Sequence, residues 1–185
     1  TDKETEMSEA VKKEIIEWIK VIVVAVILAG IITTFVRPTL VKGASMENTL
    51  KQYDYLLVNK MAYRSDLPER GDVIIFKSDL MQDNGREKDL VKRVVGVEGD
   101  HIIITDGKVY LNDELLDEPY TKDGYTDYEI DTVVPEGHVF AMGDNRLDST
   151  DSRDSSVGPV PLDDIVGKVF IRLFPFNKIT TDFQG

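Results

Sequence analysis

The stretch DLVKRVVGVEGD, residues 89–100, reads as a β-strand that runs into a Gly-Asp turn and carries two basic residues in its middle. Valine dominates it, and a branched Cβ favours extended backbone over helix. On a strand Leu90, Lys92 and Val94 share one face while Val91, Arg93 and Val95 share the other, so either charge is able to point inward. Two readings follow. In one, Lys92 and Arg93 are charges on an edge strand that deter aggregation. In the other a charge is buried, and a buried lysine loses its proton easily because desolvation disfavours the ammonium form.

The flanking chain keeps the same rhythm of short apolar runs punctuated by turn residues. Strands are predicted near 55–58, 72–76, 90–97, 101–105, 108–111, 138–142 and 165–174. Asp106-Gly107 suits a two-residue hairpin turn, whose central positions need positive φ. DYLLVNK (54–60) and RGDVIIFK (70–77) are nearly continuous runs, expected where both faces of a strand are covered. The polar stretches 64–70, 77–89 and 113–131 read as loops, the last within an insertion around 105–135. No internal repeat is visible. The predicted class is mainly β, with one N-terminal transmembrane helix ahead of an all-β domain.

That helix rests on VIVVAVILAGIITTFV, residues 21–36, which holds no charge. The run is shorter than the ~20 residues that span a hydrocarbon core, but Ile15, Ile16, Trp18 and Ile19 extend it upstream. Lys20 can snorkel, Trp18 falls where an interfacial aromatic belongs, and Arg37-Pro38 supplies a charge and a helix stop. The organisation predicted is a tail over 1–14, an anchor over 15–37 and a β domain over 38–185. A cleavable leader needs a small-residue site after the run, and TTFVRPTL offers a poor one. A buried core helix has to be apolar around its whole circumference within a small domain. Lys3, Lys12, Lys13 and Lys20 before the span, against Arg37, Lys42 and Lys51 after it, bias the tail slightly toward the cytoplasm. The chain opens on Thr1 rather than Met, which leaves room for a longer N-terminus.

Composition bounds the chemistry. With no cysteine among 185 residues, thiol nucleophiles and thiolate metal sites are absent. A formal charge of −12 with no basic stripe argues against nucleic acid as a partner. In GASMENTL, residues 43–50, Ser45 is a turn residue or a nucleophile, and the stretch alone does not decide. A serine hydroxyl needs a base to take its proton. His101 and His138 both stand at strand starts beside turn residues, where a polar side chain is commonly solvated. A lysine serves instead if burial lowers its pKa.

Read together and in order, GASMENTL, RGDVIIF, VKRVVGVEGD and MGDNRLDSTDSR (142–153), behind one N-terminal span, resemble the bacterial type I signal peptidases of the serine-lysine kind. The resemblance runs over residues 18–176. It implies a signal-peptidase-like β catalytic domain in a single-pass protein of the cytoplasmic membrane, with that domain outside the cytoplasm, removing signal peptides from exported preproteins. By position it places the nucleophile on Ser45, the general base on Lys92 and the residue that orients the lysine on Ser149. The backbone N–H of Ser45 is the implied oxyanion donor. Some family members add a serine hydroxyl two residues earlier, where this chain has Gly43, so the second donor stays unassigned. Asp151 and Arg153 match a structural ion pair, and Asp144, Asn145 and Arg146 match residues that shape the loop. No metal or cofactor is implied; the implied partners are signal peptides with small residues at the first and third positions before the cut, the lipid bilayer and the export machinery. The sequence departs from the family pattern at Asn48, where proline is usual, at Glu98 and at Leu147. A non-catalytic membrane-tethered assembly factor for surface fibres is the alternative, but such a protein is expected to lose the serine or the lysine. Self-cleaving repressor relatives carry a DNA-binding domain instead of a span.

Overall fold

The chain opens on α1, Asp2–Phe35, in which a long apolar run rich in β-branched residues is helical because a helix satisfies every backbone group within its own segment. The structure, a computed structural model, describes residues 2–82, 85 and 87–184, with side chains described from residue 11 onward. Thr1, and Asp83, Asn84 and Arg86 of the stretch read as a loop over 77–89, lie outside the described residues, as do the side chains of most of the 1–14 tail. Within α1, Val11–Phe35 is exposed on all sides and is long and apolar enough to cross a membrane. Its 25 residues rise about 37 Å at 1.5 Å each, against a hydrocarbon core of about 30 Å. Thr33 and Thr34 donate their hydroxyls to carbonyls one turn back, so the span carries no unpaired side-chain donor there.

The chain divides into two units, residues 1–36 and 37–185. The second is built on strands: β1 Val36–Leu40, β2 Tyr55–Asn59, β3 Val73–Met81, β4 Glu87–Val97, β5 His101–Thr105, β6 Lys108–Leu111, β7 Glu114–Leu115, β8 Ile130–Val133, β9 His138–Met142, β10 Val160–Pro161 and β11 Ile165–Phe174. Seven lie in one sheet in the order β1-β2-β11-β3-β4-β9-β10, and four in another, β7-β6-β5-β8. The class is therefore mainly β behind one apolar helix. Pro38 is tolerated because β1 is an outer strand of its sheet.

Every predicted strand is present. The hairpin turn between β5 and β6 has positive φ at both Asp106 (51°) and Gly107 (75°), as that turn type demands. The RGDVIIFK run is covered on both faces as expected: Ile75 and Val73 join one buried cluster with Val41, Met46, Leu50, Leu56, Val58, Val169 and Phe183, while Ile74 and Phe76 join another with Leu90, Val94, Val139, Ala141 and Val160.

One loop reading is corrected, and another, 113–131, holds except at its two ends, where β7 and β8 form. The 77–89 stretch is largely strand, because β3 and β4 extend as a ladder with Lys77 opposite Asp89 and Ser78 opposite Lys88. Opposite charges across a ladder stabilise it, so polarity there marks exposure rather than a loop. Within 105–135, β6, β7 and β8 build the second sheet on β5, enclosing Ile102, Ile104, Val109 and Leu111 with Val134, Phe140 and Met142. Strands β7 and β10 are only two residues long, which leaves little periodicity to read. The edge-strand reading of Lys92 and Arg93 also falls. β4 lies between β3 and β9, and both residues are buried.

Candidate active site

Ser45 stands in the turn that follows β1. Gly43 opens the turn at φ +91°, a conformation a side chain resists, and the Leu50 N–H donates to Met46 O to close one helical turn. Met46 and Leu50 are driven into the core, each contributing roughly 2–3 kcal/mol by burial, which leaves Ser45 half-buried at the surface of the turn.

Lys92 reaches that turn from β4. It pairs with Ile74 across the ladder and points into the apolar face the two share; only 2% of it is exposed. Its Nζ donates to Ser45 Oγ at 2.6 Å. Burial pushes the ammonium down from 10.5 to about 8; Asp151 and Asp144 oppose the shift, and Lys88 and Arg153 assist it. About a tenth of the amine is then neutral at pH 7, already in contact with a hydroxyl. Among the described residues the Ser45 N–H has no protein acceptor, so it is available to an oxygen at the reacting carbon. Neither histidine reaches the serine: His101 Nε2 meets Asp131 at 2.6 Å and His138 Nδ1 meets Glu136 O at 2.7 Å, both on the surface.

The loop after β9 holds the two together. Asn145 donates its N–H to Ser45 O at 3.0 Å and its Nδ2 to Ala44 O at 3.1 Å, clamping the turn from both sides of the serine. Gly143 lies so close beneath that an added Cβ would overlap Ser149 Oγ and the Ser45 carbonyl oxygen. Ser149 Oγ donates to Asp151 Oδ2 at 2.6 Å, and no hydrogen bond joins Ser149 to Lys92 among the described residues. Asp151 is fully buried and also accepts from the Gly143 N–H and from Arg153 Nε at 2.8 Å. Burial alone would raise its pKa, but Arg153 and these hydrogen bonds outweigh burial and hold the carboxyl below its usual value.

Several residues to which the resemblance gives no role are central. Arg93, on the opposite face of β4 from Lys92, makes a two-pronged bond to Asp144, 2.9 Å through Nε and 2.8 Å through Nη2, with both side chains fully buried and the guanidinium 3.9 Å from the centre of the Tyr120 ring. Thr49 donates to the same carboxylate at 2.5 Å. Arg146 donates to Glu118 Oε2 at 2.8 Å, Glu118 Oε1 at 2.5 Å and Thr126 Oγ1 at 2.7 Å, and Arg153 to Asp127 at 2.5 Å. The 113–131 segment therefore straps both arginines of the site loop. Of the departures, Glu98 accepts the Gly137 N–H at 2.9 Å, Leu147 is exposed, and Asn48 lines a cavity of about 300 Å³ behind the turn. Among the described residues no group of acidic and histidine side chains could hold a metal ion.

Against known proteins, the family model described as "Signal peptidase, peptidase S26" matches residues 15–174. Signal peptidase IB of Staphylococcus aureus (strain COL) is 36% identical over 192 residues, covering 94% of this chain and 96% of that protein. Signal peptidase I U of Bacillus subtilis (strain 168) is 34% identical over 172 residues, covering 87% and 88%. A crystal structure of a signal peptidase I from Enterococcus faecalis V583 covers 56% of this chain and 97% of its own at 28% identity, with a TM-score of 0.45, too low to bear on the fold.

Proposed function

This chain belongs to the S26 signal peptidase family, as a type I signal peptidase acting on the signal peptides of preproteins, and on that premise we propose that Ser45 is its nucleophile and Lys92 its general base. The observation that carries the proposal is the 2.6 Å contact between Lys92 Nζ and Ser45 Oγ, made by an almost wholly buried lysine. Neutral Lys92 takes the Ser45 proton as the oxygen attacks the scissile carbonyl. The resulting oxyanion is met by the Ser45 N–H, a donor placed before the charge develops. The lysine ammonium then protonates the leaving amine, which frees the mature protein and leaves an acyl-enzyme. Neutral once more, Lys92 deprotonates a water that hydrolyses the ester and restores the serine.

Ser149 orients the amine. By donating its proton to Asp151 it keeps its own lone pairs turned out, able to accept from Lys92 when the lysine lets go of the serine. Asp151 with Arg153, and Asp144, Asn145 and Arg146, hold the loop in place. A non-catalytic assembly factor has no use for a buried lysine, which costs stability, so that alternative is not favoured.

Replacing Ser45 or Lys92 by alanine is expected to abolish cleavage of a signal-peptide substrate in detergent, and the double variant to be little worse than either single one. Full activity in Lys92→Ala would remove the lysine from the mechanism. The helix anchors the chain in the cytoplasmic membrane through residues 15–37, with residues 1–14 in the cytoplasm and 38–185 outside, next to the lipid surface and the export machinery that deliver the substrate. Protease added to wall-stripped cells should then digest the β domain; protection until the membrane is broken reverses the topology.

A further inference from the structure

Behind the nucleophile turn, on the face of β4 away from Lys92, the last stretch of chain folds back into the core. Phe183 is buried in the same cluster as Met46 and Leu50, the two apolar anchors of the Ser45 turn. Its carbonyl accepts from Arg93 Nη2 at 2.6 Å, the same nitrogen that binds Asp144 Oδ2 at 2.8 Å. With Thr180 and Asp182 it also lines the cavity bounded by Asn48, Thr49 and Tyr120. One guanidinium thus joins three pieces: the site loop at Asp144, the nucleophile turn at Thr49, 3.4 Å away, and the tail at Phe183. The family match ends at residue 174, so Phe183 lies beyond the matched residues while Arg93, Thr49 and Asp144 lie within them.

We propose that residues 180–184 are a positioning element of the active site, and that Phe183 is its positioning residue, fixing the Ser45 turn against β4 through Met46, Leu50 and Arg93. The proposal rests on the assignment of Ser45 and Lys92. A side chain that only fills space could be trimmed at a cost in stability alone. Phe183 sits between the turn that carries the nucleophile and the arginine next to the base, so trimming it lets the turn shift and water reach the Lys92 amine. The charges around that amine, Asp151, Asp144, Lys88 and Arg153, are unaltered by the change, so any rise in its pKa then reports lost burial.

The test uses the full chain in detergent with a signal-peptide substrate, comparing wild type, Phe183→Ala, Phe183→Leu and Ser45→Ala. Phe183→Ala is expected to lower kcat about tenfold to a hundredfold, the effect of misplacing reacting groups by a fraction of an ångström to an ångström, with KM within about twofold. The basic limb of its kcat/KM profile should move to higher pH, and Phe183→Leu should recover most of the rate. An unchanged kcat, or a lower melting temperature with the pH limb in place, overturns the positioning role. If Phe183→Ala does not fold, Phe183→Val is read by the same two measurements. Full activity in Ser45→Ala sinks the underlying assignment instead, whereas a dead Ser45→Ala beside an unaffected Phe183→Ala sinks only this proposal.

Discussion

Replacing Lys92 by methionine should inactivate the enzyme and stabilise it at once. In the fold, burial brings the amine down to about 8 from 10.5, which corresponds to about 3 kcal/mol. Because the folded pKa lies below the unfolded one, the unfolded chain binds the extra proton between pH 8 and 10.5. Stability therefore rises with pH through that window, and the full penalty stands below pH 8. Methionine has similar length and no charge, so Lys92→Met removes the penalty while losing the bond to Ser45, itself worth about 1 kcal/mol. The net gain at pH 7 is about 2 kcal/mol, and the difference between the two proteins should shrink by about 2 kcal/mol on going to pH 10. Urea unfolding of the full chain in detergent, followed by near-ultraviolet circular dichroism of the tyrosines, measures it. The single tryptophan, Trp18, lies in α1 and does not report on the β domain. A variant no more stable than wild type at pH 7, or a difference that does not vary with pH, would refute the claim that burial of this charge is what activates it.

The kcat/KM of the wild type should rise with pH along a limb centred near 8, since the base works only after losing its proton; a flat profile from pH 6 to 10 contradicts the lysine as base. Ser149→Ala should lower kcat far more than it raises KM while leaving the fold intact, and wild-type kcat in that variant removes Ser149 from the mechanism. Gly143→Ala should abolish most cleavage, because its methyl must push aside both the Ser149 hydroxyl and the carbonyl of Ser45; wild-type kinetics in a folded Gly143→Ala protein would show that this close approach is not needed.

What the sequence makes legible is whatever depends on neighbours along the chain. The alternation in 101–105, the Asp106-Gly107 turn and the covered run RGDVIIFK each signal their structure within a few residues. The β3–β4 ladder does not, because its polar residues look like a loop until each finds its partner across the strands. The same limit applies at the site. Gly143 carries no local sign that Ser149 and Ser45 press on it, and nothing in 113–131 announces that Glu118 will meet Arg146.

The most instructive case is the pair Lys92 and Arg93, where alternation allowed either charge to point inward. Both are buried, on opposite faces of one strand, so burial does not tell them apart. Their partners do. Arg93 is given a carboxylate in a two-pronged bond and the face of an aromatic ring, an environment that holds a guanidinium in one place. Lys92 is given apolar walls and a hydroxyl, with Asp151 near enough to moderate the shift but already committed to Arg153. An ammonium so placed lacks a dedicated counter-charge and releases its proton near neutrality, which is the property a base for Ser45 needs. Exchanging the two partners would exchange the roles: a carboxylate directly on Lys92 would hold it protonated, and the serine would have no base.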